Sequence, residues 1–353
     1  MNLIFDPICI VGVGAVSSIG LNAPSTAAAV RAGISGFQEH PFMINKEGEP
    51  YVIAMVPTIE PEINGSKRFI DLITPPIIEC LKPLQQLLSN HFEIQMILGL
   101  PEKRPGVANN LAEELAIAVS SLNIEDYDFK GIRTAYKGHA AGLIALDSAS
   151  KLLKETDCQF CLVGGADSYI DPDALDWIED NEQLHIPSNA WGFIPGEAAG
   201  FSLLCTTSTA KRYNLPIRAT LISIGVAQEE NRIKTKTICI GKGLTSAVGN
   251  ALEALPEGAK INQTYCDQNG EAYRADEFGF MLSRLSKFFY RPSDFIAPAD
   301  CWGDIGAASA PLLINLLCAA AEKNYGNNGY SLLWASSEDG DRAAAILKTG
   351  LTN

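Results

Sequence analysis

The chain has 353 residues, 47% of them hydrophobic, and a formal net charge of −14. That is enough apolar material for one large α/β domain or two smaller ones. The acidic balance argues against nucleic acid, whose phosphates need clustered Lys and Arg, and against an anionic membrane surface.

The opening residues, Met1 to Pro7, carry no basic residue and break at Asp6-Pro7, so no signal peptide is expected. Strand-like apolar runs then fall at 8–13, 93–100, 132–136, 160–163 and 200–205. A second series falls at 217–224, 260–266, 331–335 and 343–347. Helical patterns lie between them at 25–32, 69–88, 109–121, 139–154, 244–255, 273–289 and 307–323. The segment 43–61 reads as irregular or a hairpin, and 180–188 as a surface loop. Alternating β and α at this length predicts a mostly parallel sheet covered by helices. The two series are alike in kind. We expect an N-terminal half over 1–206, a C-terminal half over 216–353 and a connection at 207–215.

Nine cysteines are scattered irregularly, which predicts free thiols in a reduced cytoplasmic protein. Cys158-Gln-Phe-Cys161 has zinc-like spacing, but it sits in an apolar run that reads as a strand. Residues three apart on a strand face opposite ways and cannot share a metal. No metal is expected. The longest apolar run, 310–321, is interrupted by Asn315 and is too short to span a bilayer. Gly12-Val-Gly14 follows a strand, but Ser17 stands at the third glycine position of a dinucleotide fingerprint, so no cofactor is expected.

Three segments resemble β-ketoacyl synthases of the thiolase-like superfamily. They are ICIVGVGAVSSIG from Ile8 to Gly20, LVGGAD from Leu162 to Asp167, and GFIPGEAAG from Gly192 to Gly200. The last is the most specific, with Gly192, Gly196, Glu197 and Gly200 as its structural motif. In the second half, Gly306-Ala-Ala308 resembles a helix start of the family. The resemblance implies a five-layered α/β/α/β/α fold of two similar halves. It also implies a homodimer or heterodimer, and an acyl carrier protein or acyl-CoA as partner.

Such enzymes attack an acyl thioester with a cysteine at a helix N-terminus and need two histidines from the second half. This chain has 4 His, and none follows His185. Matching Thr134-Ala135 to the family puts Tyr136 at the nucleophile; matching Gly138 puts Ala135 there. Asp267 or Gln268 takes the place of the first histidine. Gly303 takes the second, beside Asp304. The gating loop would fall at 336–341, with no aromatic gate.

The replacements admit two readings each. Asp267, Glu271 and Asp304 converge as an acid–base or cation-binding cluster, or Asn269-Gly270 is a turn and Asp267 or Asp304 caps a helix. His139 is a base or a hydrogen-bonded structural residue. Lys137 sits unfavourably at a helix start, which hints at a specific partner. Cys301 is a substitute nucleophile or a buried inert thiol, and Trp302 plugs an acyl channel or is plain core. Two functions follow from the resemblance. One is a non-condensing subunit, like a chain-length factor, that partners an active ketosynthase. The other is a divergent acyltransferase or thioester hydrolase using His139 or the acidic cluster.

Overall fold

The computed structural model describes residues 6–87, 92–122, 127–233 and 235–350. The first half runs β1 (Ile8–Ser17), α1 (Ala23–Arg31), the hairpin β2 (Gln38–Ile44) and β3 (Pro50–Ile53), α2 (Gly65–Gln85), β4 (Phe92–Leu100) and α3 (Leu111–Ser120). It continues with β5 (Tyr127–Tyr136), α4 (Ala141–Glu155), β6 (Phe160–Ser168), α5 (Pro172–Asp180), β7 (Glu197–Thr206) and α6 (Thr207–Arg212). The second half runs β8 (Ala219–Gln228), α7 (Lys242–Leu252), β9 (Ile261–Cys266), α8 (Ala272–Leu285), α9 (Ala299–Trp302), α10 (Ser309–Glu322), β10 (Gly329–Ser336) and β11 (Asp341–Thr349). The expected connection at 207–215 contains α6, and the end of the helix expected at 69–88 lies outside the described residues.

The strands follow the order β5-β4-β6-β7-β1-β8-β11-β10-β9. The join between β1 and β8 is slight, two antiparallel residue pairs at Cys9–Thr220 and Ile10–Ala219. On either side of it, β4-β6-β7-β1 is mirrored by β9-β10-β11-β8. The expectation of a mostly parallel sheet needs correction. In each half one strand, β7 or β11, runs antiparallel to both its neighbours. For β11 the reason is local: the turn 337–340 from β10 is too short for a parallel crossover.

Alternation along the strands sorts the side chains into layers. Ile10, Leu204, Leu333 and Ala345 face a central layer that holds α10 with Leu312 and Leu316. Their neighbours Val11 and Leu203 face outward onto α2 and α3. Trp334 and Ile346 face outward onto α7 and α8. The sequence is therefore helix, sheet, helix, sheet, helix. Helix α10 is buried on every side from Ser309 to Cys318, which is why it is apolar all round. No described helix is long and apolar enough to cross a membrane.

The halves also share a packing device. A Cβ on Gly14 of β1 would lie 2.1 Å from the Pro76 carbonyl oxygen of α2. A Cβ on Gly225 of β8 would lie 2.0 Å from that of Ala247 in α7. In each half, the first strand lets the outer helix settle directly on its backbone.

Candidate functional site

Strands β4, β5 and β6 end on one side of the sheet, and the loops after them surround a polar cavity of about 300 Å³. Glu102 and Arg104 come from the loop after β4, His139 from the junction of β5 with α4, and Asp167 and Tyr169 from the end of β6. The second half adds Glu338 and Asp339 from the β10–β11 turn. Gly138 has φ +55, and this left-handed residue turns the chain from β5 into the helix that carries His139 inward.

Below the cavity lies a buried ionic network. His139 Nε2 is 2.8 Å from Asp304 Oδ1. The Gly306 amide donates to Oδ1 at 2.8 Å, and Asn269 Nδ2 donates to Oδ2 at 2.6 Å. Arg274 approaches the same ring nitrogen at 3.3 Å. Its other nitrogens donate to Asp267 Oδ2 at 3.0 Å, Glu271 Oε2 at 3.1 Å and the Ser336 carbonyl at 2.8 Å. Because guanidinium is only a donor, the Nε2 proton lies toward Asp304. Gln183 Nε2 donates to Glu271 at 3.0 Å and to Glu338 at 2.7 Å.

A second pair stands at the wall. Arg104 donates to Asp167 Oδ1 at 2.5 Å and to the Ser168 carbonyl at 2.9 Å, and lies 4.0 Å over the Tyr169 ring. Asp167 Oδ2 accepts from the Ala307 amide at 2.8 Å.

These contacts set the protonation states. Burial lowers the pKa of His139 and Arg274 lowers it further, but Asp304, with Asp267 adding to it, outweighs both and leaves it above its ordinary value. Burial raises Asp304, yet His139, Arg274 and Asn269 together hold it well below the usual carboxylate range. At the cavity wall, burial pushes Glu102 up.

The structure brings His139 together with Asp267, Glu271 and Asp304; the sequence reading grouped the three acidic residues but not His139 with them. Asp304 accepts from the Gly306 amide, as the capping alternative had it for that residue, while Glu271, not named as a cap by the sequence, stands before α8 with no side-chain cap bond. Tyr136 is placed elsewhere. Its hydroxyl accepts from the Ala112 amide of α3 at 3.0 Å, because the strand period turns it to the outer layer. Ala135 lies opposite Gly99 in the β4–β5 ladder. Lys137 has a partner, Asp341, at 2.9 Å.

Cys301 is buried and lines neither the polar cavity nor the small one beneath it; burial pushes its pKa up to about 11. Trp302 belongs to the central apolar layer, and Gly303, with φ +74, turns the chain between it and Asp304. In the glycine block, a Cβ on Gly192 would meet Leu184, on Gly196 the Trp302 carbonyl, and on Gly200 Leu312. Glu197 is wholly engaged by Arg68, the Val56 amide and Ser168. Cys161 is buried in the central layer, while Cys158 donates to the Phe160 carbonyl.

Sequence reasoning missed Arg104, Gln183, Arg274 and Glu338. Arg274 carried a signal, three residues after Glu271, and Gln183 and Glu338 fall in the loop 180–188 and the expected gating loop 336–341. A separate group, Glu229, Cys239 and Glu277, has ligand atoms within 4.8 Å of one another. Its carboxylates are already bound, Glu277 to Arg342 and Ser336, Glu229 to the Asn231 and Gly243 amides.

Residues 116–210 match the family model of the β-ketoacyl synthase N-terminal domain. No curated protein matches the chain. Among solved structures, one similar chain comes from a type II polyketide synthase acyl-carrier protein in complex with its ketosynthase, bound to the hexaketide. It has TM-score 0.79 at 14% identity over 98% of this chain and 100% of that one. The module 6 ketosynthase of the Bacillus subtilis 168 bacillaene synthase gives TM-score 0.76 at 14% identity, over 98% and 72%. The ishigamide ketosynthase/chain length factor gives 0.70 at 19% identity, over 97% and 99%. The layered halves and the block from Gly192 to Gly200 thus have one common explanation: the chain has the thiolase-like fold and resembles the β-ketoacyl synthase family.

Proposed function

We propose that this chain is a ketosynthase-like subunit of fatty-acid or polyketide type metabolism that does not condense by thiol chemistry. It acts beside an active ketosynthase or an acyl carrier protein, as a chain-length factor does. One observation carries the reading: the β5–α4 junction presents His139, tied to Asp304 and Arg274, and no cysteine is among the residues lining the cavity. Thioester attack needs a thiolate made stable by its surroundings. Here burial instead raises the pKa of Cys266, of Cys301 to about 11 and of Cys318 to about 12. Ketosynthase-like neighbours that include a carrier-protein complex and a chain length factor support the choice of partner.

The test is native mass spectrometry of the tagged chain drawn from its own host. A cysteine-bearing ketosynthase or a carrier protein should come with it. Carbon–carbon bond formation by the isolated chain, lost in Asp267→Asn or Tyr136→Phe, would overturn the reading.

A second reading has its own support. His139 borders the cavity with Asp304 behind it, the arrangement of a base and its orienting carboxylate. It would make the chain an acyltransferase or thioester hydrolase, with Glu271 and Asp267 holding Arg274 in place. Turnover of acyl-CoA or acyl-carrier substrates, abolished in His139→Ala, would favour it over the first.

A further inference from the structure

A second cavity, of about 830 Å³, opens between α1, α2, α10 and the segment leading into β8. It shares no lining residue with the polar cavity. Its volume falls in the range of small-molecule sites, roughly 300–1,000 Å³. Val13, Ala27, Ala28, Leu215, Pro216 and Ala319 give it an apolar wall.

Four cations, Arg31, Lys82, Arg218 and Lys323, stand around that wall, against two carboxylates, Glu79 and Glu322. Both carboxylates are committed. Glu79 accepts from the Ala15 amide at 3.1 Å and the Ala23 amide at 2.9 Å, and Glu322 holds Arg218 at 2.6 Å. Among the described residues, neither Lys82 nor Lys323 forms a salt bridge. A surplus of positive charge on a chain of net charge −14 is a local feature of this cavity.

Two buried polar atoms at this cavity lack a partner among the described residues. Asn315 is 1% exposed and lines the cavity. Its Nδ2 donates to the carbonyls of Gly14 at 3.0 Å and Pro311 at 3.1 Å, while Oδ1 has no partner among the described residues. Arg218 Nε is likewise buried without a partner. Native interiors seldom leave such groups unmet; the Arg218 N–H suits an anionic head, whereas Asn315 Oδ1 can only accept and needs a donor of its own.

We propose that this cavity is a second ligand site, which takes a small amphipathic anion: an aliphatic chain against the apolar wall and a carboxylate or phosphate head among Arg31, Lys82, Arg218 and Lys323. The site stands independently of the function proposed for the polar cavity.

Calorimetric titration of the full chain with dodecanoate, dodecyl phosphate and dodecanol, below their aggregation limits, tests it. At least one of the two anions should bind one per chain, about tenfold or more tighter than the alcohol. The tighter anion identifies the head group. Ala28→Trp, at an exposed position of α1 on the cavity wall, should weaken binding about tenfold or more. The surface pair Lys82→Glu with Lys323→Glu should bring the anions down to the level of dodecanol. The proposal is overturned if neither anion binds, if dodecanol binds as well as both, or if Ala28→Trp leaves the affinity unchanged.

Discussion

His139 and Asp304 are 165 residues apart in the chain, one from each half, and meet with Nε2 2.8 Å from Oδ1 in the central layer. Each sits just before a buried helix, α4 or α10, and each follows or precedes a left-handed glycine, Gly138 or Gly306. The pair therefore couples the two halves at a buried point.

Asp304→Asn should remove about 3–5 kcal/mol of stability, because it strands a buried imidazole beside Arg274. The pH dependence follows from the two shifts. The raised His139 contributes fully below its unfolded value of about 6.5, and that contribution fades as pH rises through the folded value. The depressed Asp304 contributes above about pH 4, and that contribution fades as pH falls. Urea unfolding of parent and variant across pH should show the largest gap between about pH 4 and 6.5. A gap that is flat across pH would contradict the coupling.

Glu197 and Arg68 form a bidentate pair at 2.6 and 2.7 Å with no water-exposed edge. Glu197→Gln should cost about 3–5 kcal/mol by leaving the guanidinium uncompensated. Replacing both, with Arg68→Met and Glu197→Leu, should cost much less than Glu197→Gln alone. Denaturation midpoints of the three proteins decide it.

Gly14→Ala and Gly225→Ala should each destabilise by about 1–3 kcal/mol, since the new methyl meets a helix carbonyl that cannot retreat. Gly249→Ala should do the opposite. Nothing lies within 4 Å of its Cβ position in α7, so the helix gains about 0.5–1 kcal/mol. Melting temperatures of the three variants would show the opposed signs.

Tyr136→Phe should cost only about 1 kcal/mol, the net worth of the bond from the Ala112 amide, and leave partner binding unchanged. Cys301 should resist iodoacetamide in the native state at pH 8, because its thiol is buried and its pKa is about 11. Rapid labelling of Cys301, read by peptide mass spectrometry, would restore it as a candidate nucleophile.

What the sequence determined by itself was periodic or local. Every strand of the main sheet and most helices were legible, because alternation and the 3.6-residue repeat are short-range signals. Expected ends differ from observed ones by a few residues, as for β6, expected at 160–163 and seen as Phe160–Ser168. Helices α5 and α6 and the short α9 were missed because their runs are too brief or too polar to show a period. The block from Gly192 to Gly200 spoke through composition, since only glycine fits where backbones touch.

The tertiary structure decided the chemistry. Whether Asp267, Glu271 and Asp304 form a bare acidic cluster depends on Arg274 and His139 reaching them; Arg274 is near in the chain, but no spacing along the chain gives the contact of His139 with Asp304. The same holds for Tyr136. Alignment placed it at the site, but strand geometry turned it to the opposite face. Charge compensation and the direction of a side chain depend on what folding brings together: His139 reaches Asp304 from the other half, and Tyr136 lies on the opposite face of its sheet.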